Sequence, residues 1–218
     1  MTDKSNTKTC HLTTTGNVIT PKGVLFYSQY LTSAHPDKKG ILKYNLELCI
    51  NPKEVDLKLL KNEMAKIAME NLDGNADAAK KMVERRFIDP NDKPQGGKPA
   101  GEKYEGWVLI RASARADKST PDFVWPNGTK MSSEEAIRVV TSGSIIRATL
   151  NPYWSKNAEN KGVFLGLQNI QYLEKGEPIG FVKPEGEDEF GAVEGAAEIE
   201  SSEKSSVKGG ESVDALFG

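Results

Sequence analysis

Two stretches of this chain place flat rings and arginines at the spacing of a β-strand, "GWVLIRASAR" (106–115) and "SIIRATLNPYW" (144–154). In the first, alternation puts Trp107, Arg111 and Arg115 on one face and Val108, Ile110, Ala112 and Ala114 on the other. In the second, Arg147 stands among Ile145, Thr149 and Asn151, ahead of Tyr153, Trp154 and Lys156. An arginine in the middle of a half-buried strand is expensive unless its face is solvated or meets an anion. Cations that track phosphates, beside rings on which unstacked bases lie, are what a flexible nucleic-acid strand requires. Lys43 is a further candidate phosphate contact. Trp125, in "PDFVWPNG" with Phe123, suits either base stacking or a plug at the end of a barrel. Trp107 suits either the core or the groove. Tyr27 and Tyr30 alternate out of phase on one expected strand, so at most one of them faces the groove.

Catalytic patterns fare badly. The chain has no G-x-x-x-x-G-K-[ST] loop, no G-x-G-x-x-G opening a helix and no G-x-S-x-G elbow. Cys10, His11, His35 and Cys49 lack the short paired spacings of a zinc site. Asp56 and Lys58 have residue types found in metal-dependent nucleases, but no carboxylate cluster accompanies them. The sequence points to no enzyme, no metal and no cofactor. Two cysteines make no disulfide framework, the polar start carries no signal-like apolar run, and no stretch is apolar enough to span a bilayer. The chain reads as soluble and intracellular.

The elements that must carry these residues follow from periodicity. A loose arm is expected over residues 1–17 and a strand over 23–31. In 41–50, Tyr44, Leu46, Leu48 and Ile50 alternate with polar neighbours, the mark of a half-buried strand. Asn51, Pro52 and Glu54 have the pattern of a helix start, followed by Leu60, Met64, Ile67 and Ala68 at helical spacing. A second helix is expected over 76–87, then a long Pro/Gly-rich loop over 88–105. Ser132 and Glu135 are spaced as a capping box for a short helix, with Gly143 as its stop. Strands over 144–154 and 162–174 complete the body. Strand, strand, two inserted helices (about 52–87), strand, short helix, strand, strand matches a mainly β OB-fold, a five-stranded Greek-key barrel.

Charge divides the chain in two. From Glu185 to the end there are ten acidic residues against Lys204 and Lys208, a net of −8, which leaves the preceding 184 residues at +6. The expected organisation is a binding domain over 1–184 and a disordered acidic tail over 185–218. That tail closes on "GGESVDALFG", with Asp214 ahead of the apolar pair Leu216 and Phe217. A segment with no core has nowhere to bury a phenylalanine, so the pair reads as a hook for another surface.

A basic body of OB-fold pattern, aromatics beside arginines and an acidic tail ending in an apolar residue resemble the single-stranded DNA-binding proteins of tailed bacteriophages. The resemblance covers roughly residues 10–218 and departs in placing Gly218 after the phenylalanine. It implies a non-enzymatic protein of DNA replication, recombination and repair in the cytoplasm of the infected bacterial host. It also implies a tail that docks on a polymerase, helicase or nuclease, and it is compatible with a homo-oligomer. The alternative from the residues alone is an adaptor or inhibitor whose acidic tail mimics DNA. If the tail competes for the groove, removing residues 185–218 tightens binding of oligo-dT at low salt, measured by titration. A truncated protein that binds no more tightly than the full chain would exclude the competition.

Overall fold

The computed structural model describes residues 6–92 and 100–179. The short strands β1 (His11–Leu12) and β2 (Val18–Ile19) come first, then β3 (Gly23–Phe26), helix α1 (Gln29–Thr32), β4 (His35–Pro36) and the long β5 (Leu42–Ile50). Helices α2 (Lys58–Glu70) and α3 (Ala76–Glu84) follow, then β6 (Phe87–Ile88), a 3₁₀ turn at Glu102–Tyr104, and β7 (Val108–Arg115). The chain goes on through β8 (Asp122–Val124), α4 (Ser133–Val139), β9 (Ile145–Ser155) and β10 (Gly162–Glu174). The fold is mainly β, with a few helices. The acidic tail, including Asp214, Leu216 and Phe217, lies outside the described residues, as do residues 93–99.

Strand pairing returns on itself. β3 lies antiparallel to β5, β5 to β7, and β9 to both β10 and β3. β7 meets β10 in parallel at Ser113 and Gly166. Alternation then sends one row of every strand inward. Leu25, Leu46, Leu48, Ile110, Ala112, Ile146, Leu150, Val163 and Leu167 fill a common core. Each large aliphatic chain so buried stabilises the fold by about 1.5–3 kcal/mol. Leu60, Met64 and Ala68 on one face of α2 join the same core, so the helical pair packs against the sheet. A second, smaller cluster of Phe26, Cys49, Tyr104 and Leu109 covers part of the opposite sheet face.

Several expected boundaries move, each for a local reason. The strand expected over 23–31 stops at Phe26, because Tyr27 adopts a positive φ of 53° that a strand cannot continue. The first inserted helix begins at Lys58 rather than at Asn51. Asn51 and Glu54 do bond each other, at 2.8 Å, but they close a turn. Asp56 is then drawn out against Lys8 and Thr9, and its carboxylate accepts from the Lys58 N–H at 2.7 Å. The N-terminal stretch expected to be a loose arm is anchored from about Thr9, with Cys10 and His11 buried. Burial pushes the Cys10 thiol up to about 11. The loop over 88–105 is packed at both ends, by the β6–β7 pairing and by the buried Tyr104. The capping box of Ser132 and Glu135 forms as the spacing requires.

β3 passes so close to β5 that Gly23 has no room for a side chain. A Cβ there would lie 2.8 Å from the Cys49 carbonyl oxygen, Ile50 Cγ1 and Leu48 Cδ1. Gly23→Ala is therefore expected to destabilise the fold by about 1–3 kcal/mol, read as a lower urea midpoint; an unchanged midpoint would contradict this packing.

Candidate nucleic-acid interface

The outward face of the sheet is organised in rows that cross the strands. Register places Phe26 of β3 opposite Glu47 of β5, and Glu47 opposite Arg111 of β7. The parallel contact of Ser113 with Gly166 sets Arg111 beside Phe164 of β10, and Phe164 lies opposite Tyr153 of β9. The next row is small and polar: Asn45, Ser113, Gly166 and Asn151. A third row brings His35, Lys43 and Arg115 together. Bulky groups stand on either side of small ones, which makes a trough.

A groove of about 420 Å³ runs over this face, lined by Asn45, Glu47, Arg86, Arg111, Tyr153 and Phe164 among others. Tyr153 is 42% exposed and stacks on Phe164, with ring centroids 6.1 Å apart and planes 29° from parallel. The Arg86 guanidinium lies 3.8 Å from the Phe164 ring centre. Guanidinium, Phe164 and Tyr153 thus form one continuous flat-sided wall. Arg86 follows the C-cap of α3, so the helical insertion supplies one side of the groove.

The cations of this face differ in what neutralises them. Arg111 Nε sits 2.9 Å from Glu47 Oε1, close enough for an ion pair but off line for a hydrogen bond, and Glu47 Oε2 is buried with no hydrogen-bond partner among the described residues. Arg115 is held by Asp117 through two bonds of 2.7 and 2.9 Å, and Lys43 by Asp37 at 2.7 Å. Lys39 and Glu159, 2.6 Å apart, tie the loop before β5 to the one before β10. Exposed pairs of this kind contribute little and yield to salt. Arg86 is different. It is half-buried, its Nε has no hydrogen-bond partner among the described residues, and desolvation pushes its pKa below the ordinary arginine value. A cation held this way favours an anion from outside.

The family model of the Enterobacter phage Enc34 ssDNA-binding protein matches residues 16–201. The chain belongs to that family. Among solved structures, the single-stranded DNA-binding protein of bacteriophage Enc34 in complex with ssDNA is 17% identical, with a TM-score of 0.64 over 83% of this chain and 97% of that one. A second structure of the Enc34 protein is 16% identical, with a TM-score of 0.61 over 87% and 96%. Gp2.5, a single-stranded DNA-binding protein encoded by bacteriophage T7, is 17% identical with a TM-score of 0.46 over 83% and 97%. No curated protein matches the chain.

The structure gathers Arg111 and Tyr153 in the groove, with Lys43 and Arg115 two rows further along the same strand faces, four residues from Glu47 and Arg111. It sets the other candidates apart, so the expectation that Arg147 and Trp154 share a surface with Arg111 is corrected. Trp154 falls on the inward row of β9 after Ile146, Ala148, Leu150 and Pro152, and packs against the core. Arg147 is on the outward row, but six residues from Tyr153, about 20 Å along a strand. Its Nε donates to Gln171 Oε1 at 2.6 Å, and Gln171 in turn donates to the carbonyls of Trp125 and Pro126. Arg147 thereby ties β9 to the loop after β8. Trp125 rests on the core and meets Tyr172 edge-on at 6.0 Å. Trp107 packs against the smaller cluster, edge-on to Tyr104 at 5.2 Å. Lys156 is exposed in the turn after β9.

Sequence reasoning missed Arg86, Phe164 and Asn45. Phe164 had a signal, since it follows the inward-facing Val163 on a strand that was foreseen. Arg86 had none, because its position depends on how the helical pair folds back.

Asp37 offers a direct check of the third row. Its carboxyl accepts from the Lys43 ammonium and from the N–H groups of Lys39 and Ile41, which lowers its pKa from 3.8 to about 2. A depressed carboxyl stabilises the fold above its unfolded value, and that contribution is lost as pH falls through about 2. NMR titration should give a midpoint near 2 that moves up towards 3.8 in Lys43→Met; an ordinary midpoint in the unaltered protein would break the pairing.

Proposed function

We propose that this protein binds single-stranded DNA without sequence preference along the outward face of β5, β7, β10 and β9. The observation that carries the reading is the wall of Arg86, Phe164 and Tyr153 beside Arg111 in one groove. Rings stack bases of any identity, and a half-buried guanidinium on the groove wall suits a phosphate. Membership of the Enc34 ssDNA-binding family supports it. The similar Enc34 protein, solved in complex with ssDNA, points the same way.

The finer reading goes with this. The pairing circuit β3–β5–β7–β10–β9 is read as the five-stranded barrel of an OB-fold, whose strands two and three are the usual seat of an oligonucleotide. The protein acts by binding and not by catalysis. It serves phage DNA replication, recombination and repair in the cytoplasm of the infected host. Its acidic end, with Asp214, Leu216 and Phe217, competes for the groove and, once displaced by DNA, recruits replication proteins. The −8 charge of residues 185–218 against the +6 of the rest supports that exchange.

Because all three tryptophans pack at least partly against hydrophobic clusters, anisotropy of a labelled oligo-dT is the suitable readout. Arg86→Ala is expected to weaken binding about tenfold and to flatten the dependence of log K on log salt by about 0.7, one phosphate contact on a single strand. Tyr153→Ala is expected to cost about 1–3 kcal/mol of binding. If the double variant binds oligo-dT as the unaltered protein does, the groove is misassigned.

A further inference from the structure

We propose a second base-stacking subsite, formed by Tyr27, Tyr30 and His35 on the far flank of β5. It rests on the single-stranded DNA reading above and extends it to a separate set of residues. Among the described residues the exposed aromatic side chains are Tyr27 at 38%, Tyr30 at 43% and Tyr153 at 42%. Tyr153 belongs to the groove. The other two stand together, their ring centroids 6.5 Å apart, and Tyr30 lies 4.8 Å from the His35 ring. On one continuous strand they would point to opposite faces. Ending β3 at Phe26 brings them to the same side through a turn at Tyr27, closed by the Tyr30 N–H on the Tyr27 carbonyl, that leads into α1.

This cluster is held rigidly. Leu31 of α1 is fully buried, the Ser28 N–H donates to Ser142 Oγ at 2.9 Å, and the Tyr30 N–H donates to the Tyr27 carbonyl at 3.0 Å. His35 Nε2 donates to the Gln29 carbonyl at 3.1 Å, which sets the ring's orientation. Tyr27 carries a φ of 53°, a conformation that a bulky residue adopts only at a cost. Glycine or asparagine would sit there more easily.

The arc joins the candidate interface at its His35 end. At the other end Tyr27 meets Phe26 edge-on at 6.4 Å, but Phe26 is buried against Tyr104, so it heads the row through Glu47 and Arg111 to Phe164 without itself offering a surface. His35 stands opposite Lys43, and Lys43 opposite Arg115. From Phe164 to Phe26 is three inter-strand steps, roughly 14 Å. That separation is too wide for one base to touch both ring sets, so the two subsites hold different nucleotides of one strand. A polyanion with unstacked bases fits an aromatic arc flanked by Lys43 and Arg115, whose exposed pairs with Asp37 and Asp117 can open to a phosphate.

The test compares oligo-dT of about 4 and about 16 nucleotides, the range of site sizes for such folds, on the full chain. Tyr27→Ala/Tyr30→Ala is expected to lose about tenfold in affinity for the long oligomer and under about twofold for the short one. Tyr153→Ala is expected to weaken both. Tyr27→Gly removes one ring and relieves the positive φ, so its melting temperature should not fall while long-oligomer affinity does. Photocrosslinking of a long strand carrying 5-iododeoxyuridine should place adducts on Tyr27 or Tyr30. Unchanged long-oligomer affinity in these variants, in a protein that otherwise binds, overturns the subsite alone. Failure of the unaltered protein to bind either oligomer overturns the single-stranded DNA reading as well.

Discussion

Gly166 against Ser113 is the parallel contact at which β10 meets β7. On one side of it lie β5 and β7, joined by an unbroken antiparallel register, and on the other β9 and β10. With that contact in place, Arg111 comes abreast of Phe164 and the small residues line up as a trough. A slip of one residue would turn Phe164 and Gly166 into the core and present Leu165 and Leu167 to water. Gly166 leaves the trough open, because a Cβ there would already touch Asn151 and Tyr153 at 3.4–3.8 Å.

Three arginines on the outward face of this sheet or beside it have three different roles. Arg147 is spent inside the protein, where it anchors Gln171 and, through it, the loop after β8. Arg111 is paired within the groove to Glu47, so an incoming phosphate must compete with a carboxylate already there. Arg86 lies over the Phe164 ring with no carboxylate paired to it among the described residues, and the cost of its partial burial is open to be offset by an anion. Residue type says nothing of these differences. The neighbouring element decides them.

Much of the scaffold was legible because short-range rules and burial agree. The period-2 rows of β5, β7, β9 and β10 and the capping box of α4 follow from residues close in sequence, and the packed core rewards the same choices. Where a distant segment intervenes, local signals mislead. The pull of Lys8 and Thr9 on Asp56 delays α2, and the tether between Ser28 and Ser142 accompanies the early end of β3. Trp154 misled for another reason. A large ring is attractive both to a core and to a nucleobase, and its place depends on parity within a strand whose first residue the pattern does not specify to within one.

Residue order alone therefore settled the class of fold, the separation of a basic body from an acidic end, and the chemistry of cations beside rings. These depend on composition and on periods of two to four residues. Which groove cation has no carboxylate partner among the described residues, and which ring faces water, were decided only when β10 met β7 and the helical pair turned Arg86 over Phe164. Such neighbours are far apart along the chain, and only strand pairing and helix packing bring them within reach of one another.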